Sequence, residues 1–450
     1  MRKAIFASAI LLALALSAAP GQAQDKTSSV YAIENAKIYT LAGAPIEKGT
    51  VVIRDGKIAA VGADVAVPAD AQVIDANGLS VYPGMFDPLS HIGLEEVGAV
   101  SATVDISELG EFNPELVAGD AVNPASEHIP VTRAAGITHT LTAPGQGGFG
   151  FGGGGGGSVM PGQASLINLA GWTEDGMLVR RKGAMILIWP TVATRTFDFE
   201  TFTVKSRPYK EVEEEYRKRM DTLSDWISRA KHYAQAVEKG SPANFERDLK
   251  LEALVPVVDG KMPVIVIAGR ERDIRNAVKF CEDQKLKMIL GGGTEAWKVK
   301  DLLKEKNIPV ILAPTLRVPE EEDDPYDKSY TAPGELAAAG IPIAFASFDV
   351  AFSRRLPQQA GTAVAYGLPY EEALKAVTVN AAKMLSVDSE LGTIEPGKMA
   401  NIVVTNGDLL ELSTEVRYLF IAGQLTSLEN KHHELYEKYR KRPKPASVTK

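Results

Sequence analysis

The sequence predicts an α/β fold in which a barrel of parallel strands lies between two strand-rich chain ends. Apolar strands and amphipathic helices alternate through the middle of the chain, whereas short strands separated by turn residues fill residues 30–73 and return after residue 391. Strands that alternate with helices form parallel sheets linked by crossover helices. A closed barrel is favoured over an open doubly wound sheet because no strand is followed by a dinucleotide-binding turn.

The beginning of the chain has the pattern of a secretory signal peptide. Arg2 and Lys3 precede an apolar run over residues 4–18, and small residues end the segment near Ala23. The run is shorter than the roughly 20 residues of a membrane-spanning helix, so cleavage is expected rather than anchoring. The only cysteine, Cys281, lies far from this segment and gives no site for a lipid anchor. We therefore expect a periplasmic or secreted protein, with residues 1–23 removed.

Composition restricts the classes of protein and partner. The chain has 450 residues, of which 45% are hydrophobic, enough for a large barrel and a second, smaller unit. Its single cysteine excludes an internal disulfide. The net charge of −8, with basic and acidic residues interspersed, argues against nucleic acid as a partner, and no later segment is apolar enough to span a membrane. The basic stretch over residues 429–450 is predicted to be a frayed, solvated tail.

The N-terminal strands are marked by Asp55 and Gly56, a hairpin signal between two alternating runs. In the middle, the strand-like runs include Ile137–Leu141, Met185–Ile188, Pro263–Ala268, Met288–Leu290, Pro309–Ala313 and Pro342–Ala346. A helix is predicted over Tyr209–Glu238, and its apolar stripe is expected to pack against the barrel. The glycine-rich run over residues 145–157 lacks the Gly-Lys-Ser/Thr of a phosphate loop and is expected to be mobile over one mouth of the barrel.

Several motifs together resemble a known family. They are Pro83-Gly-Met-Phe-Asp-Pro-Leu-Ser-His91, Gly136-Ile-Thr-His-Thr140, Gly162-Gln-Ala-Ser165, the stretch from Tyr366 to Leu385, and Gly392-Thr-Ile-Glu-Pro-Gly-Lys398. In this order they resemble imidazolonepropionase-like members of the amidohydrolase superfamily. The resemblance implies a (β/α)8 TIM-type barrel over residues 83–388 and a small β-sandwich formed by residues 28–82 and 389–428. It also implies a hydrolase acting on non-peptide carbon–nitrogen bonds with a divalent metal, zinc or iron, at the carboxyl ends of the barrel strands.

The chain departs from the family at most of its ligand positions. Leu89, Ile267 and Gly292 stand where relatives have metal-binding histidines, and Gly269 replaces a further histidine. His91 remains, and Asp349 is displaced by one residue from the expected aspartate. A slip of one residue reverses the side that a strand residue faces, although a bulge could restore it. Asn168 occupies the position of the relatives' lysine.

This residue set predicts weak or absent metal binding. A catalytic ion usually needs about three protein ligands, and His91 with Asp349 supplies two at most. As catalytic candidates, His91 is interpreted as an acid or base and Asp349 as the carboxylate that orients it. Arg270 and Glu295 also lie near strand ends, whereas Asp87 and Arg272 have better structural interpretations, as a strand brace and a helix start. His139 is expected to be a core histidine rather than a ligand, although alternation with its neighbours could direct it into the barrel near the mouth.

Two functions remain open at this point. One is the hydrolase that the resemblance implies, and the other is a non-catalytic barrel that binds a small ligand or pairs with an active relative. Glycine at 269 and 292 leaves uncharged space, which suits a neutral or apolar ligand. A homodimer is compatible with both functions, and the sequence gives no substrate.

Overall fold

A computed structural model describes residues 30–145, 157–198, 203–240 and 246–443. Two eight-stranded sheets dominate this part of the chain. The predicted signal segment, nearly all of the glycine-rich run and residues 444–450 of the basic tail lie outside the described residues, so the expectations for these segments stay predictions. No helix in the described ranges is long and apolar enough to cross a membrane.

The strands are numbered in chain order. They are β1 (Tyr31–Ile38), β2 (Ile46–Arg54), β3 (Lys57–Gly62), β4 (Gln72–Asp75), β5 (Ser80–Pro83), β6 (Met85–Ser90), β7 (Ile137–Thr142), β8 (Gly162–Asn168), β9 (Leu178–Ile188), β10 (Arg195–Asp198), β11 (Thr203–Ser206), β12 (Val264–Ala268), β13 (Met288–Gly292), β14 (Val310–Leu312), β15 (Ile343–Phe345), β16 (Ile402–Thr405), β17 (Val416–Ile421) and β18 (Gln424–Leu425).

The α-helices are numbered in the same way. They are α1 (His128–Arg133), α2 (Glu174–Met177), α3 (Tyr209–Glu238), α4 (Leu249–Val258), α5 (Glu271–Gln284), α6 (Lys300–Glu305), α7 (Lys328–Ala338), α8 (Leu356–Ala365), α9 (Tyr370–Ala376), α10 (Val379–Met384) and α11 (Lys431–Arg440). Short 3-10 turns lie at Ser101–Thr103, Ala118–Ala121, Ala296–Val299 and Ser353–Arg355.

Both chain ends contribute to one sheet, as predicted. Its strand order is β18-β17-β16-β5-β1-β2-β3, with β4 paired to β1, and Pro83 of β5 lies opposite Ile402 of β16. Asp55 and Gly56 both have positive φ, 52° and 79°, as the tight turn of the predicted β2–β3 hairpin requires. Hydrogen bonds join all eight strands into this single sheet, which has its own apolar core. This sheet is therefore separate from the sheet of the barrel. The structure supports the prediction that both chain ends build the smaller unit, and it shows that unit as a single sheet.

The second sheet forms a nearly closed barrel of the TIM type. Its order is β6-β7-β8-β9-β12-β13-β14-β15, and the N–H of Phe348 donates to the carbonyl oxygen of Leu89 at 2.8 Å across the remaining seam. The expectation of eight parallel strands is wrong for one of them, because β8 is antiparallel to both β7 and β9. Neighbouring antiparallel strands need no crossover helix between them.

Apolar side chains fill the inside of the barrel. Phe86, Leu141, Ile186, Ile265, Ile289 and Ile311 are all buried in one cluster. Such filling is typical of TIM-type barrels, where the interior is a packed core rather than a channel. Any chemistry is therefore confined to the two ends of the barrel.

The long helix α3 packs as its stripe predicts. Leu223, Ile227 and Ala230 are buried in the larger core cluster together with barrel and helix residues. The tail expectation needs correction, because residues Lys431–Arg440 form the helix α11. The side chain of Asn430 caps it by accepting hydrogen bonds from the N–H groups of His432 and His433, at 3.0 and 3.2 Å. None of the side chains of α11 is buried, so the segment is solvated although ordered.

Candidate active site at the barrel mouth

His91 follows β6 directly, at the carboxyl end of the first barrel strand. Its Nδ1 lies 2.8 Å from the carbonyl oxygen of Ala143, which follows β7. A carbonyl oxygen only accepts, so Nδ1 carries the proton of this bond and Nε2 of the neutral ring keeps its lone pair. Burial lowers the pKa of His91, while the Ala143 carbonyl and the charges of Glu95 and Asp349 oppose that shift. The site therefore presents a neutral imidazole near pH 7, held in one orientation.

Asp349 lies near His91 without forming the predicted pair. Its Oδ1 accepts a hydrogen bond from the backbone N–H of Phe352 at 2.8 Å, and within the described ranges no hydrogen bond or ion pair joins it to His91. The chain has already left β15 at this point, since Phe348 is left-handed with a φ of 52°. The alternation rule of a strand therefore does not apply to Asp349. Its carboxylate caps the following turn and acts on His91 through its charge alone.

Asp87 is a buried brace, as its structural interpretation predicts. Its Oδ1 accepts hydrogen bonds from the N–H of Leu89 at 3.3 Å and from the N–H of Ser347 at 3.1 Å, while Oδ2 is buried without a partner in the described part of the chain. Burial raises the pKa of Asp87 to about 7, against the opposing effect of these hydrogen bonds. The carboxyl group thus joins the first and last barrel strands and changes charge near neutral pH.

Two family ligand positions carry aliphatic side chains packed in the barrel. Leu89 is 4% exposed and belongs to the interior apolar cluster that also contains Phe348. Ile267 packs against the same cluster, and its Cδ1 occupies the space beside Gly291, 2.6 Å from where a Cβ on that glycine would lie. These positions stabilise the core and offer no lone pair.

The glycine positions are closed to histidine for conformational and steric reasons. Gly292 has a φ of 90°, a conformation that L side chains rarely adopt. At Gly269 a Cβ would lie 2.9 Å from Oγ1 of Thr294. A histidine at either place would require movement of the backbone or of its neighbours.

The donor set does not fit the divalent metal that the resemblance implies. Among the residues that the structure describes, no group of three or more His, Cys, Asp and Glu side chains could hold a metal ion. One nitrogen of His91 is taken by the Ala143 carbonyl, and Asp349 caps its own turn. The described residues therefore do not provide the set of about three ligands that a catalytic ion usually needs.

The charged candidates after β12 and β13 serve the structure. Glu295 is 5% exposed, and its Oε2 accepts from the N–H of Glu271 at 2.6 Å, which caps α5. Its Oε1 accepts from Nζ of Lys298 at 2.7 Å. Arg272 lies in the first turn of α5, and Arg270 pairs with Glu321 at 3.6 Å. None of these groups contacts His91.

His139 and Asn168 lie at the opposite end of the barrel from His91. The ring of His139 packs on Phe86 with centroids 4.4 Å apart, and its Nδ1 contacts Oγ1 of Thr138 at 2.7 Å and Nδ2 of Asn401 at 3.3 Å. Asn168 accepts a hydrogen bond from Asn401 at 2.8 Å, and because β8 runs antiparallel its last residue is carried away from the mouth. His139 is therefore a core histidine, and the position of the relatives' lysine is not at the site.

Sequence reasoning missed the part that Glu95 and Ala143 play. Glu95 follows His91 by four residues, and its charge raises the pKa of the imidazole against burial. A spacing of four residues brings two side chains together on a helix. Residues 91–95 are not helical, so this spacing did not predict the contact. The carbonyl of Ala143 could not have been found, since any residue type supplies one. Ser90 and Cys281 are excluded as nucleophiles: Ser90 is buried against Thr140, and burial raises the pKa of the Cys281 thiol to about 12.

Comparison with known proteins agrees with this architecture. The fold and the mouth define an α/β barrel protein with its polar groups at the carboxyl ends of the strands. A family model described as the amidohydrolase family matches residues 302–426. The solved structure of an amidohydrolase from Thermotoga maritima MSB8 is 28% identical, with a TM-score of 0.73, and the match covers 88% of this chain and 99% of that one.

Two curated proteins extend the comparison. Amidohydrolase tasK of Hapsidospora irregularis is 24% identical over 84% of this chain, which spans only 39% of the length of that relative. An imidazolonepropionase of Picrophilus torridus is 41% identical over 12% of this chain and 15% of its own length. Together these matches support the amidohydrolase superfamily as the family that this chain resembles.

Proposed function

We propose that this protein is a hydrolase that acts on non-peptide carbon–nitrogen bonds at the barrel mouth around His91. The observation that carries the proposal is the likeness to the Thermotoga maritima amidohydrolase over nearly the whole length of both chains. A histidine at the carboxyl end of the first barrel strand, with its ring orientation fixed, supports the same site.

The chemistry assigned to this chain is general acid–base catalysis. Nε2 of the neutral His91 accepts a proton from water as the water oxygen adds to the carbon of the C–N bond. The imidazolium then returns that proton to the leaving nitrogen, so the ring ends the cycle unchanged. Glu95 and Asp349 stabilise the imidazolium through their charges. The Ala143 carbonyl holds the ring while the proton moves.

We also propose that the protein works outside the cytoplasm, in a periplasm or after secretion. The support is the basic, apolar and small-residue pattern of residues 1–23. Cell fractionation with an antibody to the mature chain tests this: a processed product in the soluble exported fraction supports it, and an unprocessed cytoplasmic product contradicts it.

A second function is supported by the aliphatic residues at the mouth. Leu89 and Ile267 replace donors with packed side chains, which suits a barrel that binds a small neutral ligand, alone, as a homodimer or beside an active relative. This candidate predicts ligand binding without turnover.

One experiment separates the two. The purified mature protein is assayed on cyclic amides and dipeptides in chelator and with added zinc or iron, together with His91→Gln and the control His128→Gln, whose ring contacts the Glu96 carbonyl at 2.9 Å. Turnover that survives chelation and is lost only in His91→Gln supports the hydrolase. Turnover that requires roughly one bound ion per chain contradicts the metal-free assignment. Saturable binding of a cyclic amide with no turnover favours the binding barrel.

A further inference from the structure

A cavity of about 200 Å³ lies on the outside of the barrel, away from His91. It is open to solvent on one side and is bounded by the chain that leads into and through α1 and by the turn between β8 and α2. The polar side chains in its lining are Ser126, Glu127 and Arg133. Nothing in the proposed hydrolase mechanism uses this space.

The guanidinium of Arg133 is poorly paired. Nη1 has a long contact of 3.4 Å to the carbonyl oxygen of Leu169, and Nε is buried with no partner in the part of the chain that the structure describes. No described carboxylate forms an ion pair with it, and burial lowers its pKa. A half-buried guanidinium with five donors and no carboxylate partner is available to pair with an anionic ligand.

Ser126 adds a second donor. It is 2% exposed, and its Oγ accepts a hydrogen bond from the N–H of His128 at 3.3 Å. Within the described residues its own hydroxyl hydrogen has no acceptor, so it can donate to a ligand oxygen in the cavity. The one acidic group in the lining, Glu127, is exposed, and its charge acts on Lys431 of α11.

The remaining residues of the lining would contact the uncharged part of the ligand. Pro124, Ala125, Ile129, Pro130, Ala170 and Met177 provide apolar walls. The volume lies below the roughly 300 Å³ at which drug-sized pockets begin, so only a small molecule fits. A short aliphatic acid places its carboxylate on the donors and its carbons on these apolar residues, whereas phosphate has no apolar part to pack against them.

We propose that this cavity binds a small aliphatic monocarboxylate, with its two oxygens on the guanidinium of Arg133 and the hydroxyl of Ser126. A hydrogen bond from a charged guanidinium to a carboxylate is roughly twice as strong as one between neutral groups. The proposal is independent of the hydrolase activity, because it concerns binding at a different place.

The test is calorimetric titration of the full-length mature protein with butyrate and, separately, with inorganic phosphate. We expect butyrate to bind the wild type, and Arg133→Gln to weaken the binding by about tenfold or more, the effect of losing a charge-assisted hydrogen bond. Arg54→Gln is the matched control, since Arg54 lies in the other sheet and pairs with Asp70 at 2.8 Å. Phosphate is expected not to displace butyrate.

Two further variants keep the test decisive if Arg133→Gln fails to fold. Ser126→Ala removes the second donor, and Ala170→Leu fills the cavity, so both are expected to weaken butyrate. Unchanged binding in Arg133→Gln, or in both of these variants, would overturn the site. So would phosphate binding without butyrate binding, or no heat of binding with either anion.

Discussion

Oδ1 of Asp87 lies 3.1 Å from the backbone nitrogen of Ser347, and this hydrogen bond joins the first barrel strand to the chain just after the last. The same oxygen accepts from the N–H of Leu89. A fully buried carboxyl group is thus part of the closure of the barrel. Its protonation state is consequently linked to the stability of the fold.

Asp87→Asn is expected to flatten the pH dependence of stability. Burial raises the pKa of Asp87 from 3.8 to about 7, so the protonated form is favoured in the folded state. The stabilisation from this protonated carboxyl group is fully present below the pKa of the unfolded state and is lost as the pH rises through about 7. Its size is roughly 1.4 kcal/mol for every tenfold difference in proton affinity between the folded and unfolded states. Asparagine stays neutral and keeps the accepting oxygen. Denaturant unfolding between pH 5 and 8 measures this, and parallel curves for wild type and variant would contradict it; the exposed Asp64→Asn is the control.

His139→Gln is expected to change stability on the acid side. Burial lowers the pKa of His139 to about 3, so the neutral ring is favoured in the folded protein. The resulting stabilisation is fully present above the unfolded value of 6.5 and is lost as the pH falls toward about 3. The variant should lose less stability than the wild type between pH 7 and 4, measured by thermal unfolding. The exposed His433→Gln should follow the wild type, and a variant slope equal to that of the wild type would argue against a neutral buried ring.

Lys298→Met is expected to destabilise the protein by about 3 kcal/mol or more, the effect of breaking a buried ion pair. Nζ of Lys298 contacts Glu295 at 2.7 Å and Asp324 at 3.0 Å, and both carboxylate side chains are only 7% exposed. Without the ammonium group, two buried negative charges remain. Lys279→Met is the matched control, because its pair with Asp283 is exposed and should contribute less than about 1 kcal/mol. Equal losses in denaturant unfolding would show that the buried cluster contributes no more than a surface pair.

Gly292→Ala is expected to cost about 1–2 kcal/mol, because a residue with a side chain is strained in the left-handed region. The φ of Gly292 is 90°, and Gly43, which has open space and no positive φ, provides the control. The measurement is the free energy of unfolding of both alanine variants. A neutral result at Gly292 would mean that the backbone there relaxes readily and that its conformation does not exclude a histidine.

The alternation of strands and helices predicted a parallel sheet, and the lack of a dinucleotide-binding turn favoured a barrel. Asp55 and Gly56 predicted the first hairpin. Strand direction was not predictable for β8, because an apolar run reads the same whether the strand runs parallel or antiparallel. The glycine content of the sequence before β8 was a signal of direction, since glycine disfavours the crossover helix that a parallel strand requires.

At the candidate site, the sequence showed which residue types are present, but it did not predict their contacts. The sequence alone shows that Leu89 and Ile267 stand where relatives have metal-binding histidines. The expected pairing of His91 with Asp349 depended on strand geometry, and the left-handed turn at Phe348 removed that geometry. The actual partner of His91 is a backbone carbonyl, which sequence patterns do not reveal.

The pairing of Pro83 with Ile402 also affects how the chain folds during synthesis. β5 has no partner on that side until the ribosome has delivered β16, and the Asp87–Ser347 closure waits nearly as long. Contacts between such distant segments form slowly and leave strand edges open to other chains meanwhile. A nascent or truncated chain that ends before residue 402 therefore leaves this edge of β5 unpaired.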